Sequence, residues 1–435
     1  MKKFVVIQAL LLSSIFSFSQ NIDKIINTTE VERIERVLSA DDMQGRKTFT
    51  TGIDKAADFI AAEFAKTKLK FFGNASSYFQ EITMTKAKPL EITGFLDSDS
   101  LNTGNVAANT TATEININSL KDYEVIVVKK DDDFSKIVFP LFDLEKNLLI
   151  LVDTAHTRRF KSMQRFTGNA KFSSPVSQVF ILTGNLNPSS FTLHIKNQLT
   201  DQKLKNVVAV LPGKSLPAGQ AGKKDEYVVF SGHYDHLGIG KPNTNMDSIY
   251  NGANDDASGT TAVIMLANYF SKLNDNERTL IFVAFTAEEI GGFGSHYFSK
   301  QLNPDKVAAM FNIEMIGTES KWGANSAYIT GYEKSDFGKI LQNNLTGSNF
   351  HFEPDPYPKQ NLFYRSDNAT LAELGVPAHT ISTSKMDSEK YYHTQEDEIE
   401  TLDMNNMAAI IKAIAISCKT IVSGKDTPTR IEKQN

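Results

Sequence analysis

The chain has 435 residues, 41% of them hydrophobic and 22% charged, which excludes a disordered, collagen-like or coiled-coil protein. Its 46 basic and 51 acidic side chains leave a formal charge of −5, so nothing in the electrostatics favours nucleic acid or an anionic membrane as a partner. The one cysteine, Cys418, can form neither an intramolecular disulfide nor a Cys-rich zinc site, so any metal must be held by His and carboxylate.

In chain order, Met1-Lys2-Lys3 precedes an apolar run that ends near Phe18, with small residues at Ser17 and Ser19. That pattern predicts a signal peptide over residues 1–19, removed before Gln20, and an exported protein, periplasmic or secreted. The run falls short of the ~20 apolar residues of a membrane span, and no later stretch reaches that length. Residues 20–80 are expected to hold the first helices of a catalytic domain. Val31, Ile34 and Leu38 recur at helical spacing, as do Ala56, Ile60 and Phe64. The polar stretch from Asp41 to Arg46 reads as a connection between them.

Residues 81–203 change texture. Short strand-like runs such as 124–128, 148–152 and 179–182 alternate with turn-rich stretches, which predicts a β-rich insert with few helices. The basic run 156–165 reads as a solvated helix face. From 204 to 424 continuous apolar runs (207–211, 227–230, 279–285, 309–313) alternate with helical patterns at 259–273, 294–301, 336–345 and 404–421. This is the signature of an α/β fold with a mixed, mostly parallel central sheet flanked by helices. Residues 425–435 are polar and are expected to form a flexible tail.

A phosphate loop is excluded because Val208 stands where its leading glycine would be. No Gly-x-Ser-x-Gly is present, and no His is followed by Glu as the helical zinc motif requires. Five short segments remain, each in a loop or after a predicted buried strand. They are Gly232-His233-Tyr234-Asp235-His236, the stretch from Asn251 to Gly259 with Asp255-Asp256, Thr286-Ala287-Glu288-Glu289, Asn312-Ile313-Glu314, and Tyr391-Tyr392-His393. His233 and Asp235, two apart, can face one pocket. Asp255-Asp256 either caps the following helix or places a carboxylate between cations. Glu288 and Glu289 repel each other, and a cation on one leaves the other free to accept a proton. Two histidines and three carboxylates from separate segments supply the N and O donors that a pair of zinc ions needs.

The order and spacing of these segments resemble the zinc exopeptidases of peptidase family M28, which include secreted bacterial aminopeptidases, glutamate carboxypeptidase and glutaminyl cyclases. The resemblance implies a zinc exopeptidase fold over 204–424 and an insert at 81–203 like a protease-associated domain. It implies two Zn2+ ions held by His233, Asp255, Glu289, Glu314 and His393, with Asp255 bridging and Glu314 standing where most members have Asp. It further implies that Glu288 is the general base, that Asp235 orients His233, and that Tyr392 aims at the substrate carbonyl. The expected activity is hydrolysis of peptide substrates at chain ends, as an aminopeptidase. A single-zinc glutaminyl cyclase and a non-catalytic scaffold of the same fold are the competing expectations.

Overall fold

Helix α1, Thr28–Leu38, begins where the Asn27 side chain accepts the backbone N–H of Glu30 at 3.1 Å, and it turns Val31, Ile34 and Leu38 inward. Helix α2, Thr51–Lys66, buries Ile53, Ala56, Ile60 and Phe64 on one side. The computed structural model describes residues 22–214 and 222–434, so the signal peptide expected over 1–19 lies outside the described residues. Among the described residues no helix is long and apolar enough to cross a membrane.

The chain divides into a smaller unit, Thr83–Lys203, and a larger one formed by what precedes and follows it. Two long strands, β1 (Phe79–Leu96) and β2 (Phe191–Leu211), each run through a boundary between the units.

In the larger unit β3 (Tyr227–His233), helix α3 (Ser258–Leu273), β4 (Thr279–Phe285), β5 (Val307–Ile313), β6 (Ser326–Ile329), helix α4 (Phe337–Asn344), β7 (His351–Pro354), β8 (Ala378–Ser382) and helix α5 (Met404–Ser417) follow in sequence. The sheet order is β7-β6-β8-β5-β3-β4-β2. β3 pairs in parallel with β4 and β5, and β5 with β8, while β4–β2 and β6–β8 are antiparallel. The apolar runs are continuous because both faces are covered. Phe230, Phe282 and Phe311 join one core, and their neighbours Val229, Ile281 and Met310 join the other. The expected α/β class with a mixed, mostly parallel sheet is therefore the one observed.

Two details depart from the reading of the sequence. The stretch 425–434 is not a frayed tail. Ile431 is buried in a core, Arg430 donates to the Val307 carbonyl at 2.8 Å, and Arg278 donates to Thr427 Oγ1 at 2.5 Å. The final helix stops at Ser417, and a separate turn of helix, Lys419–Val422, follows Cys418. The smaller unit is β-rich with few helices. Its strands Glu124–Val128, Leu148–Asp153 and Gln178–Thr183 are parallel neighbours, and parallel neighbours need crossovers. Helices Phe134–Val138 and Thr157–Thr167 supply them, the second carrying most of the basic run and burying Phe160 and Met163.

His379 on β8 is fully buried, stacked on Phe337 with ring centroids 4.7 Å apart. Its Nδ1 lies 2.8 Å from the Thr330 carbonyl and so donates, which leaves Nε2 to accept from Ser335 Oγ at 2.7 Å. Burial, with the Lys334 charge adding to it, lowers its pKa to about 4. The unfolded chain, with an ordinary value near 6.5, binds this proton more readily, so stability must fall as pH drops from about 6.5 to 4. We expect metal-free protein to lose about 3 kcal/mol from this group over that window. In His379→Gln the corresponding slope, followed by urea unfolding at a series of pH values, should disappear.

Candidate metal centre

The parallel register sets the site. His233 lies opposite Phe285 at the ends of β3 and β4, and Ser231 lies opposite Asn312 near the end of β5. The residues that follow these strands therefore emerge at one edge of the sheet, the usual place for a ligand in an open α/β fold. The loop before α3 adds Asp255, and the loop after β8 adds His393. Gly252 opens that first loop with φ 55°. A Cβ there would meet the Asp255 carbonyl at 2.2 Å and the His236 ring at 2.5 Å, so only glycine fits.

His236, Asp255, Glu289 and His393 each offer a ligand atom, all within 4.8 Å of one another. His393 Nε2 is 3.2 Å from both Asp255 Oδ2 and Glu289 Oε2. For zinc bonds of 2.0–2.2 Å, neighbouring ligands of a tetrahedron lie ~3.3–3.6 Å apart, so this spacing suits a zinc ion. On the other side of Asp255, His233 Nε2 sits 3.2 Å from Oδ1 and, though buried, has no hydrogen-bond partner. A buried ring nitrogen left without a partner fits a metal ligand. The donor set of neutral imidazoles and carboxylates, without sulfur, makes His236, Asp255, Glu289 and His393 one zinc-binding site.

Among the residues singled out in the sequence, Glu314, Glu288 and Tyr392 line one cavity of about 70 Å3 with Asp255 and His393. Glu314 Oε2 is 3.5 Å from Asn312 Nδ2, and burial raises its pKa to about 7. The Tyr392 ring stacks on His393, centroids 3.9 Å apart. Asp235 differs from expectation. The group that meets His233 Nδ1 is its main-chain carbonyl at 3.1 Å, while its carboxylate Oδ1 is 3.9 Å away. That carboxylate instead accepts the backbone N–H groups of Glu288 and Glu289 at 3.0 and 3.3 Å, fixing the turn after β4. Asp256 accepts the N–H groups of His233, Gly259 and Met315 at 3.0–3.1 Å, so it ties three segments and caps α3.

The two adjacent glutamates are driven apart. Burial raises Glu288 well above the ordinary carboxylate range, and the charges of Glu314, Asp367 and Glu289 push it further. Burial would also raise Glu289, but hydrogen bonds from His236 and His393 hold it below that range. A bound dication would favour the ionised form of every acid here.

Three residues outside the sequence reading complete the site. His236 Nδ1 lies 2.8 Å from Glu289 Oε1; it stands three places after His233 in the same segment, and a second histidine there was the one available signal. Asp397 accepts the N–H groups of Asn254 and Asp255 at 2.8 and 3.0 Å, joining the His393 loop to the Asp255 loop. Arg46, fully buried, donates to the carbonyls of Tyr234, Leu38, Asn251 and Gly252 at 2.5–2.8 Å. It is the girder between the two loops that carry His236 and Asp255.

The model of peptidase family M28 matches residues 206–417. The chain is 23% identical over 259 residues to aminopeptidase YwaD of Bacillus subtilis strain 168, covering 56% of this chain and 50% of that protein. It is 26% identical over 293 residues to leucine aminopeptidase 1 of Pyrenophora tritici-repentis, covering 63% of this chain and 70% of that one. The chain thus spans about half the length of the first of these relatives. Among solved structures, an aminopeptidase from Aneurinibacillus sp. strain AM-1 has a similar fold, with a TM-score of 0.54 at 18% identity over 95% of this chain and 98% of that one.

Proposed function

Because residues 206–417 belong to peptidase family M28, we propose that this chain is an exported zinc aminopeptidase with a two-metal centre and Glu288 as its general base. The observation that carries the reading is Asp255. One oxygen faces His233 at 3.2 Å, and the other faces His393 at 3.2 Å, so a single carboxylate stands between two sets of donors. One set would be His236, Glu289 and His393. The other would be His233 and Glu314. When bound, zinc would polarise a carbonyl and make water acidic enough to attack it at neutral pH. Glu288, half-buried in the cavity lining, would take the proton from the attacking water at a carboxylate oxygen and hand it to the departing amine. The Tyr392 phenol, at the cavity wall, would donate to the carbonyl oxygen as negative charge develops. The names of the relatives favour N-terminal over C-terminal cleavage. The smaller unit, 83–203, we read as a protease-associated-like insert.

A one-zinc enzyme of the cyclase kind is the second reading, favoured by the fact that His236, Asp255, Glu289 and His393 group together without His233 or Glu314. Metal analysis separates the two. The proposal expects about two zinc ions per chain, falling to about one in His233→Ala, and zinc-dependent release of p-nitroaniline from aminoacyl p-nitroanilides that N-acetylation abolishes. One zinc per chain that survives His233→Ala would select the second reading. A fully metallated protein inert to a broad substrate panel would leave only the scaffold.

A further inference from the structure

The cavity lined by Glu288 also holds Asp255 and Glu314, yet besides His393 one basic residue, an arginine, stands in its wall. Arg365 follows the turn Leu362–Tyr364, its N–H bonded to the Leu362 carbonyl at 3.1 Å. The next residue is anchored twice. The Ser366 carbonyl accepts from the Ala369 N–H at 3.0 Å, and its hydroxyl accepts from Asn312 Nδ2 at 2.7 Å. The chain next to Arg365 is therefore tied to Asn312, two positions before Glu314.

In the same unit Arg33, Arg36 and Arg278 pair with acids, and Arg46 spends its donors on buried carbonyls. Arg365 is exposed, and among the described residues it forms no ion pair. The rest of the wall offers no anion to it, being apolar (Met315, Leu362, Met386) or hydroxyl-bearing (Thr330, Ser384). A guanidinium presents a planar fork that matches a carboxylate in bidentate fashion. Metal held by Asp255, Glu289 and Glu314 would offset the negative charge at the base of the site, and Arg365 adds a positive charge to its wall.

We propose that Arg365 is a specificity residue that binds a carboxylate of the substrate, supplied either by an acidic N-terminal side chain or by the α-carboxylate of a dipeptide. The assignment rests on the peptidase reading above. Two isosteric pairs test it on the zinc-loaded full chain: Glu- against Gln-p-nitroanilide, and Leu-Gly against Leu-Gly-amide. In the wild type, kcat/KM should favour the carboxylate member of one pair by about tenfold or more, and the pair that shows it names the source. Arg365→Gln should collapse that ratio, mainly through KM, and Arg365→Lys should restore part of it. Unchanged thermal melts would exclude a folding defect. Ratios near one in the wild type, or a ratio that Arg365→Gln does not move, overturn the carboxylate site and leave the peptidase intact. No turnover of these four substrates or of a broad aminoacyl p-nitroanilide panel by zinc-loaded protein overturns the peptidase reading and this assignment with it.

Discussion

Replacing Glu288 by Gln should lower kcat by about 10²–10⁴-fold, the usual contribution of a positioned general base, while zinc content and folding stay as they were. The substitution keeps shape and hydrogen-bonding capacity but removes the ability to take a proton. The backbone that holds the side chain does not depend on its charge, because the Glu288 N–H is held by Asp235 Oδ1 at 3.0 Å. Neither does the histidine cluster, whose carboxylate partners are Asp255 and Glu289. The roles proposed for the two adjacent glutamates rest on their surroundings. Glu289 is hydrogen-bonded to two imidazoles and held ionised, whereas burial and neighbouring acids make Glu288 the more basic. The complementary variant separates the roles. Glu289→Gln should lose metal first and activity as a consequence, whereas Glu288→Gln should lose activity with metal retained. Wild-type turnover by Glu288→Gln would overturn its assignment as the general base.

Chain-local features were readable from the sequence to the extent that they repeat along the chain. The run from Leu280 to Phe285 spells a strand covered on both faces, and its alternate side chains do enter two different cores. Val31, Ile34 and Leu38 spell an amphipathic helix, and all three are buried. The segments bearing His233, Asp255, Glu289 and His393 could be found because each holds a dense group of ligand-type residues at a strand end or loop. What stayed hidden is what acts across long separations. Arg46 reaches Tyr234 and Gly252, 188 and 206 positions away, and nothing around it distinguishes it from a surface arginine in a polar turn. Asp397 lies among acidic neighbours of which it alone accepts from the Asp255 loop backbone. The packing of Ile431 has the same cause, since a single apolar residue in a polar tail carries no periodicity. Asp235 illustrates the converse. Its position beside His233 is plain in the sequence, but only the fold shows that its carboxylate turns to the Glu288 backbone.

Arg46→Lys should cost about 3–5 kcal/mol of stability, a large effect for a substitution that keeps the charge. The guanidinium donates from Nε, Nη1 and Nη2 to four carbonyls that point at it from three directions. An ammonium group has three donors on one atom and cannot reach all four, so buried carbonyls would be left without partners. The loss would not be confined to folding. Two of the carbonyls belong to Asn251 and Gly252, at the start of the loop that carries Asp255, and a third belongs to Tyr234, beside His236. Loosening residues that orient metal ligands commonly weakens binding by about 10–100-fold, and that range is expected here for zinc measured against a competing chelator. Urea unfolding of the chelator-treated protein gives the structural part alone, because no metal then contributes. If Arg46→Lys unfolds within about 1 kcal/mol of the wild type and binds zinc equally well, the four carbonyl bonds do not hold the site together. A loss of stability with zinc affinity unchanged would confine Arg46 to the fold, and a loss of both would place it in the scaffold of the metal centre.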